Sequence, residues 1–315
     1  ISTGALVLAT TAGSITTLVS GAVTATGNML VQAGGASSDI TLGAALTDTA
    51  TGGNISLNAG QDIIQSANIS ANTSAKTIDL VAGRNITQAQ TYSTTSTNGN
   101  ILLQAGNNIT IETLSAGSGN ISVTATAGNI IDGDADGDSE IDITAAGLKL
   151  TADTGIGTGS NHIETTVSTL TASAGAGGLF VIESDGLTVD TLSFDINRVS
   201  STASTGPITS SQSNLTTSGG GHIALVSTTG DLTISDDVTA AGAGNILLKA
   251  TAGAITQNNA IDGGSGNITL LASGAISQTL AASDLLTTGG TIDVESTGST
   301  ITMVDGAVAQ TDGKN

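Results

Sequence analysis

The sequence predicts an all-β chain wound as a single parallel β-helix, a β-solenoid of about thirteen coils of roughly 23 residues over positions 1–315. Three observations carry this expectation. A Gly-Asn-Ile-x-Leu string and its looser copies recur every 20 to 31 residues, with one interval of 44. Periods of this length mark solenoid repeats. Within each copy, aliphatic residues two apart fall on one face of a strand. No stretch sustains the three-and-four spacing of a helix, and abundant Thr, Val and Ile with 43 Gly favour strands over helices.

The first strand of each coil is the clearest. The string stands as Gly53-Asn54-Ile55-Ser56-Leu57, and again from Gly99, Gly119, Gly244 and Gly266; looser copies begin at Gly4, Gly27, Lys76, Ala146, Gly177, Gly221 and Gly290. Its core pairs run Leu6/Leu8, Met29/Val31, Ile55/Leu57, Ile78/Leu80, Ile101/Leu103 and Ile121/Val123. They continue as Leu148/Leu150, Leu179/Val181, Ile223/Leu225, Ile246/Leu248, Ile268/Leu270 and Ile292/Val294. The residue between each pair points outward. The interval of 44 from Gly177 to Gly221 is about two periods, so one degenerate copy is expected there. A second strand follows at offset ten or eleven, with Ile15, Ile63, Ile86, Ile109, Ile130, Ile156, Leu187, Leu232, Ile255, Ile276 and Ile301. A Gly just before it, as in Gly83-Arg84-Asn85-Ile86, suits a corner with positive φ. A third, looser set lies near Leu18, Ile69, Leu114, Leu170, Leu192, Val238, Ile261 and Leu280. Asn at offset one (Asn28, Asn54, Asn100, Asn120, Asn245, Asn267) predicts a stacked polar ladder at a corner, where Asn tolerates the left-handed conformation.

Composition removes whole classes of function. Lys and Arg number 6 against 26 Asp and Glu, a net charge of −20, which offers no footprint for a phosphate backbone; no nucleic-acid partner is expected. There is no Cys, hence no disulfide framework, thiolate metal site or Cys nucleophile. No run of about 18 apolar residues exists, so no membrane span is expected. A mean hydropathy of +0.25 argues against disorder. Tyr92, Phe180 and Phe194 are the only aromatics, too few to floor a long sugar cleft. The chain opens on Ile1 without a basic, apolar signal segment, and reads as a mature product or an excised stretch of a longer chain.

The Gly-Asn-Ile-x-Leu-x-Ala-Gly-x-x-Ile pattern resembles the repeat region of filamentous-haemagglutinin-like large exoproteins, bacterial adhesins of the two-partner secretion type. Leu148-Lys149-Leu150-Thr151-Ala152-Asp153-Thr154-Gly155-Ile156-Gly157 with Ile163-Glu164-Thr165-Thr166-Val167, and Glu183-Ser184-Asp185-Gly186-Leu187-Thr188-Val189, carry the likeness furthest. It covers nearly the whole chain and is weakest at 195–219. It implies a right-handed β-helix on the bacterial cell surface. The family varies in what it binds, so it implies a fibre role rather than a ligand.

One acidic stretch carries chemistry. Asp132, Asp134, Asp136, Asp138 and Glu140 sit in Asp-x-Asp-x-Asp-Gly spacing, the pattern of a calcium loop with Gly137 at the sharp turn. Position twelve is Ile143 where an EF-hand places Glu, so this is a candidate Ca²⁺ loop grafted on a solenoid corner; its bland alternative is a solvated acidic insertion. Apart from calcium no cofactor is expected. His222 takes an Asn-ladder position and His162 lies in a loop; neither has Ser and Asp at a spacing that suggests acyl transfer. Arg84 and Arg198 are scattered, so no catalytic residue is assigned and enzymatic activity, such as that of polysaccharide-active β-helices, is not expected. Thr-x-Thr pairs such as Thr24/Thr26 and Thr124/Thr126 differ in offset and make no ice-binding face.

The sequence therefore points to the structural shaft of an extracellular filament or adhesin. Its expected partners are a host or neighbouring cell surface, neighbouring filaments, or further copies joined end to end in a self-standing polymerising subunit.

Overall fold

The computed structural model describes residues 4–19, 21–49, 51–134 and 140–312. These are all-β with no helix, and form a β-solenoid of about 13 turns with about 23 residues per turn. Contacts divide the chain into two compact units. Unit 1 draws on Ile1–Ala135, Asp142–Gly147 and Ser193–Ser211; unit 2 draws on Asp136–Ile141, Leu148–Leu192 and Gln212–Asn315.

In unit 1, coils stack in parallel as three sheets. The first sheet contains Leu6–Thr10, Met29–Ala33, Ile55–Ala59, Ile78–Ala82, Ile101–Ala105 and Asn120–Ala125. Its register is residue for residue: Leu6 opposite Met29, then Ile55, Ile78, Ile101 and Ile121 in turn. From Met29 to Val123 the core pairs are at most 1% exposed. Each such side chain contributes about 1.5–3 kcal/mol of burial, and identical shapes in successive coils fill the same slot. The second sheet stacks Ile15, Ile40, Ile63, Ile86, Ile109 and Ile130. The third stacks Val23, Leu46, Ile69, Thr94, Leu114 and Ile143. Thr94 is fully buried in an aliphatic slot because its hydroxyl donates to Gln65 Oε1 at 3.0 Å.

Unit 2 repeats the plan. Its first sheet runs through Leu179, Ile223, Ile246, Ile268 and Ile292. Its second runs through Leu187, Leu232, Ile255, Ile276 and Ile301. Its third runs through Leu215, Val238, Ile261, Leu285 and Ala309.

The corners differ from expectation in their physics. Of the glycines before the second strand, Gly13 has the expected positive φ (106°), but Gly60, Gly83 and Gly106 do not. Those three are required by close approach: a Cβ on Gly60, Gly83 or Gly106 would lie 2.0, 2.2 or 2.1 Å from the glycine carbonyl oxygen of the preceding coil. The Asn ladder forms, but none of its residues is left-handed. The side-chain oxygens of Asn28, Asn54 and Asn100 instead accept the backbone N–H one coil on, from Asn54 (2.9 Å), Thr77 (2.9 Å) and Asn120 (2.7 Å). In unit 2, Asn245 donates to His222 Nδ1 at 2.9 Å, which places that histidine in the ladder as expected. A second ladder, unforeseen, runs Asp39, Asp62, Asn85, Asn108, Asn129 before the second sheet of unit 1.

Several placements are corrected. Leu179 pairs directly with Ile223, so no degenerate coil lies between them. The surplus residues form a separate two-stranded sheet, Leu192–Val199 with Thr205–Gln212, and Leu192 belongs to it rather than to the third sheet. Ile156 pairs with Leu179 and Ile163 with Val181, so both stand in the first sheet of unit 2, with residues 157–162 looped out between them. Leu170 pairs with Val189 in the second sheet. Leu18 and Leu280 are 75% and 54% exposed; they fall in turns, and Val23 and Leu285 take the third-sheet slots.

Candidate binding cleft

The two-stranded sheet has residues 193–211 in unit 1, lying against the outer face of that unit's first sheet. Residues 200–204 join its strands, a link far too short for a parallel crossover, so it is a hairpin. Along its first strand Phe194 and Ile196 alternate inward and are buried, as is Val199. Polar contacts span five coils. Asn28 Nδ2 donates to the Ala203 carbonyl (2.8 Å), Val199 N to Ser56 Oγ (2.8 Å), and Asn197 N to Thr77 Oγ1 (3.0 Å). Asn100 Nδ2 donates to the Asp195 carbonyl (2.8 Å), and Ser210 Oγ to Ser122 Oγ (2.9 Å).

These contacts explain why residues between the core pairs, expected to face solvent, are buried in unit 1. Leu30, Ser56, Asp79, Leu102 and Ser122 are 6% exposed or less. Asp79 is the telling case. A buried carboxylate needs a partner, and Arg198 supplies a two-pronged one: Nε to Oδ2 at 2.6 Å and Nη2 to Oδ1 at 2.9 Å. The hydrogen bonds to Asp79 raise the Arg198 guanidinium further above its usual range, against the opposing effect of burial.

Beside this ion pair the hairpin leaves a cleft of about 460 Å³, within the range of small-molecule sites. Leu30, Ser56 and Asp79 form its floor, in register across three coils. Gln32 and Asn58, also in register, place two side-chain amides along one edge. Arg198, Val199, Ser200 and Ser201 form one wall; Gly206, Pro207 and Ile208 form the other. Sequence reasoning missed this site. Pro207, the one proline, and the break in the repeat were its only signals.

Of the expected calcium loop, only the ends fall within the described residues. Asp132 ends the strand Ile130–Asp132 with its side chain buried, and its Oδ1 accepts the Asp134 N–H at 3.1 Å. Its carboxylate lies within 4.8 Å of that of Asp142, also buried. Glu140 is exposed. Asp136 and Asp138 lie outside the described residues. Asp134 is thus held to Asp132 through its backbone N–H. Asp142 had no place in the sequence pattern.

Unit 2 holds a second unforeseen carboxyl. Glu183 occupies the position that is Ala250 and Ala272 in later coils of the first sheet, and is fully buried. Burial pushes it up to about 7, against hydrogen bonds from Thr165 Oγ1 (2.6 Å), the Asp185 N–H (3.3 Å) and the Val167 N–H (3.0 Å).

Among the described residues no helix is long and apolar enough to cross a membrane. The chain matches no protein-family model, no curated protein and no solved structure.

Proposed function

We propose that the chain is a structural stretch of an extracellular bacterial filament or adhesin, the shaft that carries attachment to a cell surface or to neighbouring filaments. The observation that supports this is the residue-for-residue register within each unit. Each coil contacts its neighbours through backbone ladders on three sides, an aliphatic spine inside and side-chain ladders at the corners. Such quasi-one-dimensional stacking gives stiffness and lets coils be added without redesign. The net charge of −20 keeps such surfaces soluble and apart. The role is mechanical, and no residue is assigned to catalysis.

End-to-end association of copies is a second reading with its own support. Interior rungs are buried, but Leu8 is 43% exposed, and Ile301 and Met303 are 52% and 48% exposed. Further coils of one polypeptide or another copy of the chain would cover these rungs equally well. The test is to label the native protein on intact source cells, then measure its mass under denaturing conditions. Surface labelling with a mass far above 30.4 kDa supports the shaft. Surface labelling at that mass favours the polymerising subunit. Confinement to the cytosol refutes both.

A further inference from the structure

We infer that the cleft under the hairpin of unit 1 binds a neutral polyhydroxyl ligand, one or two units of an uncharged sugar. The lining mixes polar and apolar residues and has no net charge. Its two ionic groups, Arg198 and Asp79, are spent on each other through two hydrogen bonds. Gln32 and Asn58 each present an amide with donors and an acceptor side by side, the combination a sugar hydroxyl needs. Leu30, Pro207 and Ile208 give apolar surface against which the C–H face of a ring can lie. An anion would have to approach a chain of net charge −20 and displace Asp79 from Arg198. A cation would have to displace Arg198 from Asp79. The floor is built rather than incidental. Ser56 and Asp79 are each 1% exposed and held by the hairpin backbone and by Arg198. The inference is independent of the filament reading, which rests on the stacked coils.

The experiment is an amide-resonance NMR titration of the full chain with glucose, galactose and mannose at millimolar concentration. Glucuronate and glucosamine serve as charged counterparts. Two variants accompany it. Gly206→Trp fills the mouth of the cleft, and a Cβ there meets nothing within 4 Å, so the fold accepts it. Asn58→Ala removes an exposed amide from the edge. At least one neutral sugar is expected to shift resonances of the cleft residues, with the charged sugars at least tenfold weaker. Gly206→Trp abolishes the shifts while the rest of its spectrum is unchanged, and Asn58→Ala weakens binding about tenfold. Absence of shifts with all three neutral sugars overturns the inference. So does equal binding of glucuronate, or binding that survives Gly206→Trp.

Discussion

Replacing Glu183 by Gln should stabilise unit 2 at neutral and alkaline pH and flatten its pH dependence. The carboxyl is held up to about 7 from an ordinary 4.5. Because the folded value is the higher one, the native state binds the extra proton between those limits. Stability is therefore greatest below about 4.5, falls as pH rises through the window, and carries the full penalty above about 7. That penalty is on the order of 3 kcal/mol. Gln reproduces the neutral form. Its carbonyl oxygen still accepts from Thr165 Oγ1 and the Val167 N–H, and its amide faces Asp185, whose side chain shares a hydrogen bond that favours protonated Glu183. Urea unfolding of wild type and variant at pH 4.5 and pH 8 measures the effect. A chain of net charge −20 has a general pH dependence of its own, so the informative quantity is the difference between the two slopes. The variant should gain about 2–3 kcal/mol over wild type at pH 8 and little or nothing at pH 4.5. Parallel slopes would show that Glu183 is charged without cost, and would refute the reasoning.

Other perturbations test the scaffold. Gly83→Ala drives a Cβ to 2.2 Å from the Gly60 carbonyl oxygen, a backbone atom with no easy escape; it should cost about 1–3 kcal/mol by urea unfolding, and a neutral result would mean the coils can spread. Leu80→Ala opens a cavity between two filled rungs, Leu57 and Leu103, and should cost about 2–5 kcal/mol by the same measurement. Arg198→Ala strands the Asp79 carboxylate under the hairpin. With Arg198 partly exposed, a loss of about 2 kcal/mol is expected, read as protease cleavage at residues 200–204 roughly thirtyfold faster; unchanged cleavage would separate the ion pair from hairpin docking.

Legibility followed periodicity. The first-sheet pairs from Leu6/Leu8 to Ile121/Val123 were readable because each residue sees the same environment one coil later, so one repeat tests the next. Handling of the corners was half readable. Asn at offset one did announce a ladder, but sequence could not separate an Asn chosen for its backbone angle from one chosen for its acceptor oxygen. Gly83 likewise looked like a positive-φ glycine and is a close-approach glycine. Aperiodic features were not readable. Thr94 fills an aliphatic slot because Gln65 waits for its hydroxyl, 29 positions earlier in sequence. Arg198 meets Asp79 across 119 residues, and no spacing rule reports that.

The position between the two core residues of the first strand shows how a repeat is adapted locally. In unit 1 it holds Leu30, Ser56, Asp79, Leu102 and Ser122, and the hairpin buries all five. In unit 2 the corresponding residues Ala224, Leu247 and Thr269 are half-buried, and Asp293 is exposed. A bare strand tolerates either set. Only a covered one requires that Ser56, Asp79 and Ser122 each meet a polar group on the cover, and each does, through Val199 N, Arg198 and Ser210. An unpaired Asp79 at that burial would carry the loss of about 2 kcal/mol expected for Arg198→Ala. The hairpin and these coils are thus specified together: an insertion moved to other coils would lose all three partners. Hairpin and coils also define the cleft jointly, since its floor comes from the repeat and its walls from the insertion. A solenoid can in this way carry a specific site without interrupting its spine, because the outward position is the one the core does not constrain.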